Sequence, residues 1–166
     1  MELPGIKTIH EKNLLPKDGE VEFVSHFIEE DFLQELIDDS EWTQDKMNMF
    51  GKVVELPRLT AWYGEPEASY TYSGITNTPL TWTPLLLQLK EKIESFSGAK
   101  FNSVLLNYYR DQNDHMSWHT DDEKELGNNP VIASLSFVEP RLFQFKHFTD
   151  KEMKRIEVFT EAGSLI

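Results

Sequence analysis

Residues 107–137 read NYYRDQNDHMSWHTDDEKELGNNPVIASLSF, and the side-chain period around this stretch decides the fold. Up to its first residues, Val104, Leu106 and Tyr108 alternate with Leu105, Asn107 and Tyr109, the period of two that sends successive side chains to opposite faces of a strand. Residues 131–138 and 141–147 read as two more strands around Glu139-Pro140, and another short strand covers about 154–159. Ser134, Ser136, Phe137, Phe143 and Phe145 belong to the hairpin so formed and are read as packing residues with no catalytic role.

Upstream the period is helical. Thr83-Pro84, the stripe Leu85, Leu86, Leu89, Ile93 and Phe96, and then Gly98 supply a cap, a first-turn proline, an apolar face and a stop, which predicts a helix over 84–97. Phe27, Ile28, Phe32, Leu33, Leu36 and Ile37 follow the same spacing behind Ser25, which predicts a helix at about 26–39. Residues 40–80 are rich in Trp, Tyr, Pro and Gly and alternate weakly, as in Val53-Val54-Glu55-Leu56 and Ser69-Tyr70-Thr71-Tyr72, so short strands joined by turns fit them. Residues 1–20 lack periodicity and read as an extended arm. Helices followed by a run of strands make an α+β protein, one domain over 21–166, with both helices bracing a curved sheet built from the strands after residue 100.

A chain of 166 residues with 39% hydrophobic and 12% aromatic residues can bury a core, so intrinsic disorder is excluded. It has no cysteine, which removes disulfides, thiolate metal sites and cysteine nucleophiles, and leaves any metal to nitrogen and oxygen ligands. The net charge of −13 argues against indiscriminate binding of polyanions but not against one basic groove. No run approaches the ~20 apolar residues of a membrane span, and the start has no basic segment followed by an apolar one. An intracellular protein, cytoplasmic or nuclear, is expected.

His119 and Asp121 are separated by one residue, so on an extended chain both side chains leave the same face. One imidazole and one carboxylate are two thirds of the facial triad that holds non-haem iron with positions open for a cosubstrate and dioxygen. The pair alone also suits a surface hydrogen bond. Asn107 and Tyr109 share a strand face, presenting an amide and a phenol together as a dicarboxylate would require, although a buried barrel tyrosine is the simpler reading.

Taken in order, N-x-Y at 107–109, W-H-x-D-D-E at 118–123, P-V-I-A-S-L-S-F at 130–137 and R-x-F-x-F at 141–145 resemble the AlkB family of iron(II)- and 2-oxoglutarate-dependent dioxygenases. Upstream, Pro57-Arg58, Trp62-Tyr63-Gly64 and Tyr70-Thr71-Tyr72-Ser73-Gly74 are similar to that family's substrate lid, so the resemblance covers about residues 50–165. It implies a double-stranded β-helix, a distorted jelly roll, with Fe(II) on His119 and Asp121 and 2-oxoglutarate at Asn107 and Tyr109. It also implies Tyr72 stacking on an extruded base of DNA or RNA, Tyr70 and Glu123 at the pocket rim, and Arg58 pairing with Asp122. The activity implied is oxidative demethylation of N-alkylated nucleobases.

The chain departs from the family pattern at its end. The family's second histidine and two 2-oxoglutarate-gripping arginines come several tens of residues after His-x-Asp, whereas this sequence stops at Gly163-Ser164-Leu165-Ile166. His115 shares a loop with His119, His147 comes too early, and His10 and His26 precede the core, so none replaces the second histidine well. Val138 stands where the family commonly has Gly. The chain by itself is therefore expected to lack the closing strands, to bind iron weakly, to turn over no 2-oxoglutarate, and to aggregate or to take a complementing strand. Two other function classes stay open: a non-catalytic nucleic-acid-binding or regulatory module, and a dioxygenase of the same fold acting on protein or lipid.

Overall fold

The computed structural model describes residues 8–49, 51–72 and 75–166, with the side chains of 47–49, 70–72, 75 and 76 outside that description. In chain order the elements are β1 (His10–Glu11), β2 (Phe23–Val24), α1 (Leu33–Asp38), β3 (Lys46–Met49), β4 (Lys52–Glu55), β5 (Leu59–Gly64), β6 (Tyr70–Tyr72), β7 (Ile75–Asn77), α2 (Pro84–Ser97), β8 (Ser103–Tyr108), β9 (Arg141–Phe145) and β10 (Ile156–Thr160). Helix and strand are thus mixed, and every ladder of named strands is an antiparallel pair. The chain forms two compact units, Met1–Ile37 with Ile132–Ile166, and Asp38–Val131.

In the unit Asp38–Val131, β5 is the centre. One edge pairs with β8, Leu59 opposite Tyr108 through Gly64 opposite Ser103. The other edge bonds to Thr43 through Thr60 and to Leu80 through Trp62 and Gly64. Thr60, Ala61 and Tyr63 are accordingly buried, and the Tyr63 hydroxyl accepts the Glu41 N–H at 2.9 Å. Gly64 is required by space: a Cβ there would lie 2.8 Å from the Asn102 carbonyl oxygen. Helix α2 begins and ends as its sequence predicts. Thr83 accepts the Leu86 N–H, Pro84 opens the first turn, Gly98 closes the helix in the left-handed region, and Leu85, Leu86 and Leu89 are buried.

The other unit is built on its last residues. Leu165 bridges Val24 on one side and Leu135 on the other, with Ser134 bonding Ile166 and Ser136 bonding Ser164 and Gly163, while β1 extends the array beyond β2. Gly163 has φ +76° and gives its carbonyl to the Ile28 N–H; a Cβ there would lie 1.9 Å from the Ile28 oxygen.

Two expectations need correction. The helix predicted at about 26–39 is only α1, Leu33–Asp38. Ser25 does not cap it. The Ser25 hydroxyl accepts the Ile9 N–H, His26 has φ 50°, and the Ile28 N–H goes to Gly163, so tertiary pairing takes the backbone groups a helix would need. Nor do the strands after residue 100 form one curved sheet. Among the described residues β8 pairs with β5 and β9 only with β10, and residues 131–138 contribute an isolated bridge at Leu135. The polar segment after β8 spends its hydrogen bonds locally, as the Asp114 and His119 contacts below show.

Candidate functional site

All nine residues singled out in the sequence fall within the unit Asp38–Val131. The β5–β8 register sets Asn107 opposite Thr60 and ends with Leu59 opposite Tyr108; Arg58 lies in the bend before β5, its N–H bonded to the Leu56 oxygen, and Tyr109 just past β8. Residues opposite one another in an antiparallel pair share a face, and so do residues two apart on one strand. Thr60 and Asn107 therefore occupy one face of the ladder. Arg58 is 9% exposed, and both its Nε and the Asn107 Oδ1 are buried without a hydrogen-bond partner among the described residues. Thr60 Oγ1 donates to Asp45 Oδ2 at 2.6 Å.

Past Tyr109 the chain turns on Asp114, a residue that the sequence reading missed. Its buried carboxylate accepts the Arg110 backbone N–H at 3.0 Å, Nε at 2.7 Å and Nη2 at 3.0 Å. The pair raises the Arg110 pKa further above its ordinary value, the hydrogen bond to Asp114 being the main cause. The next residue, His115, donates its backbone N–H to the Pro57 carbonyl at 2.9 Å, which joins this loop to the segment carrying Arg58. An arginine and an aspartate four residues apart were visible in the sequence; the burial of the carboxylate was not.

His119 and Asp121 come together, though not by strand alternation. Neither lies in a strand, and Asp121 has φ 47°. His119 Nε2 stands 3.5 Å from Asp121 Oδ1, with both side chains a little under half exposed. His119 Nδ1 lies 2.9 Å from the Ser117 carbonyl oxygen. A carbonyl only accepts, so Nδ1 carries the hydrogen and Nε2 keeps its lone pair for a metal. Two donors 3.5 Å apart can share one ion at ligand distances of about 2.1 Å. The donor set, neutral imidazole and carboxylate, suits Fe(II). Among the described residues no third His, Asp or Glu completes a metal-holding group.

The remaining candidates are more scattered. Asp122 and Glu123 are exposed, and Arg58 forms no ion pair with Asp122 among the described residues. Tyr70 and Tyr72 belong to β6, and their side chains, like residues Ser73 and Gly74, lie outside the described residues. The other histidines considered as ligands have partners of their own: His115 Nδ1 bonds the Asn113 oxygen, His10 meets Glu22, His26 meets Glu161, and His147 meets Asp18. No helix among the described residues is long and apolar enough to cross a membrane.

Residues 21–166 match the family model of the 2OG-Fe(II) oxygenase superfamily. The chain is 41% identical over 142 residues to the alpha-ketoglutarate-dependent dioxygenase alkB homolog 3 of Rattus norvegicus, a match covering 81% of this chain and 48% of the relative. The Homo sapiens homolog 3 is 40% identical over 142 residues, covering 81% and 49%. The DNA oxidative demethylase ALKBH2 of Mus musculus is 43% identical over 102 residues, covering 61% and 43%. The chain spans about half the length of the homolog 3 relatives it matches. With the family model spanning nearly all of the chain, and with the His119–Asp121 pair in the loop after β8, this chain belongs to the 2OG-Fe(II) oxygenase superfamily and is AlkB-like within it.

Proposed function

We propose that the protein to which this chain belongs oxidatively demethylates N-alkylated nucleobases in DNA or RNA, using iron(II), 2-oxoglutarate and dioxygen. The observation that carries the reading is the His119 Nε2–Asp121 Oδ1 approach of 3.5 Å in a family of iron oxygenases. The nucleic-acid substrate draws support from the relative named DNA oxidative demethylase. The double-stranded β-helix that membership implies, and an intracellular location, are parts of the same proposal.

His119 and Asp121 hold the metal, and Asn107 and Tyr109 receive the cosubstrate. When bound, iron(II) with 2-oxoglutarate and dioxygen supplies the oxidation of the N-alkyl carbon, giving succinate and carbon dioxide and releasing the alkyl group as an aldehyde. The chain's own residues orient and shield. The Ser117 carbonyl fixes the His119 tautomer by accepting from Nδ1. The Asp114–Arg110 clamp holds the turn between the cosubstrate residues and the metal residues. Tyr72 stacks on an extruded base, where an aromatic face contributes about 1–3 kcal/mol per base. Tyr70 and Glu123 stand at the pocket rim, with Arg58 and Asp122 at its mouth.

A second reading, a nucleic-acid-binding module without catalysis, is favoured by one observation, the two-donor metal set among the described residues. One assay separates them. The 166-residue chain and a chimera carrying the C-terminal segment of the rat homolog 3 after Ile166 are given iron(II), 2-oxoglutarate and an N-methylated oligonucleotide. Demethylation predicts succinate and formaldehyde from the chimera, abolished by His119→Ala. Oligonucleotide binding with neither product from either protein supports the module and contradicts the enzyme.

A further inference from the structure

The inner face of the β9–β10 pair is unfinished at one end. Phe145 and Ile156 stand opposite each other there, two residues along from the Phe143–Val158 pair on the same face. Val158 is buried, whereas Phe145 and Ile156 are only half-buried. With Leu15 and Met153 they form the floor of a groove of about 350 Å³ between this hairpin and arm residues 15–18. The groove lies wholly within the unit Met1–Ile37 with Ile132–Ile166, and none of the nine candidate site residues lines it. Its two walls are tied together, Lys17 Nζ to Asp150 Oδ2 at 2.9 Å and His147 Nε2 to Asp18 Oδ2 at 3.0 Å. The Asp150 backbone N–H donates to His147 Nδ1 at 2.9 Å, so Nε2 carries the ring hydrogen and donates to Asp18. The lips are basic. Lys146 and Lys154 are exposed there, and Lys154 makes no hydrogen bond or ion pair among the described residues. Residues 145–156 hold Lys146, Lys151, Lys154 and Arg155 against Asp150 and Glu152, a local excess of cations in a chain of net charge −13. Phe148, also lining the groove, is 73% exposed.

We propose that this groove docks a short acidic segment of a partner protein, one large apolar side chain filling the floor and flanking carboxylates meeting Lys146 and Lys154. The floor continues a buried apolar row, so an apolar anchor seated on Phe145 and Ile156 completes the packing that Val158 begins. Met153 can adapt to the anchor's shape, and an exposed aromatic such as Phe148 is a residue type enriched at interfaces. Charge selects the partner: carboxylates find here the opposite of the molecule's overall sign. A nucleic-acid strand fits less well. Its affinity grows with the number of phosphates that cations neutralise, whereas Lys17 is already paired with Asp150, and the exposed Asp18 carboxylate in the wall repels phosphate. The inference stands independently of the metal centre proposed above.

The test is a fluorescence-anisotropy titration of the 166-residue chain against a fluorescein-labelled peptide in which one phenylalanine is flanked on both sides by glutamates. Binding should saturate, weaken with added salt, and fall about tenfold or more when Lys146→Glu and Lys154→Glu are combined. Both lysines are exposed, so the fold should survive, and an unchanged circular-dichroism spectrum checks that it has. Two further peptides test the groove without altering the protein: serine in place of the phenylalanine, and lysines in place of the glutamates, should each abolish saturable binding. Failure of the glutamate peptide to saturate overturns the proposal, as does binding that either altered peptide retains or that the double charge reversal leaves unmoved. A thymidine oligonucleotide that displaces the peptide, and binds more tightly than it does, overturns it too, since the surface then serves nucleic acid.

Discussion

Asp114 shows what a single side chain does for the site. It accepts three hydrogen bonds from Arg110 while 8% exposed, and Arg110 is 41% exposed. Asp114→Ala should cost about 2–3 kcal/mol in urea unfolding, less than a fully buried pair because water reaches the abandoned guanidinium. Gly163→Ala should cost on the order of 3 kcal/mol, since it combines a strained φ of +76° with a Cβ 1.9 Å from the Ile28 oxygen; a variant as stable as wild type would show that Ile28 can move aside. At this scale the residue types were legible and their geometry was not. The H-x-D spacing led to His119 and Asp121, but the two meet through a left-handed Asp121 and a histidine tied to Ser117, neither of which alternation could reveal.

Local signals sufficed for an element that caps itself. Helix α2 runs from Pro84 to Ser97 as read, and Thr83→Ala should lower stability by about 1 kcal/mol by orphaning the Leu86 N–H, measured as a fall in denaturation midpoint. Helix α1 was overread because Ser25, His26 and Ile28 serve Ile9 and Gly163, partners distant in sequence. The arm is likewise held from afar. Lys17 Nζ lies 2.9 Å from Asp150 Oδ2; this hydrogen bond holds the Asp150 carboxyl below its ordinary value and the Lys17 ammonium above its own. A lowered acid stabilises above its unfolded value and loses that as pH falls through the folded one; a raised lysine stabilises below its unfolded value and loses that as pH rises through the folded one. The tie should therefore persist across neutral pH and fail in acid and in strong base. Hydrogen exchange at the Leu14 amide, which bonds the Val21 oxygen within the same arm, should quicken at both extremes; exchange faster at neutral pH than in acid, corrected for the intrinsic rate, would contradict the tie.

The molecule as a whole carries 29 acidic residues against 16 basic ones, so divalent cations have many weak places to gather, and the central claim is that one place differs. Composition and motif order identify the family on their own, because they depend on residue identity. The pairing of β8 with β5, and the face it gives to Thr60 and Asn107, depends on register between segments some 45 residues apart and was not readable from either alone. Two protein donors, the set found among the described residues, bind iron weakly, so the 166-residue chain should release metal on a single passage through a desalting column. The most direct measurement is a titration of the 15N-labelled chain with substoichiometric Mn(II), followed by the broadening of each amide. The account predicts broadening concentrated at residues 117–123 and reaching 107–109, and its loss from those residues in His119→Ala. Broadening spread over the acidic surface, or a pattern unchanged by His119→Ala, would contradict a metal centre at His119 and Asp121.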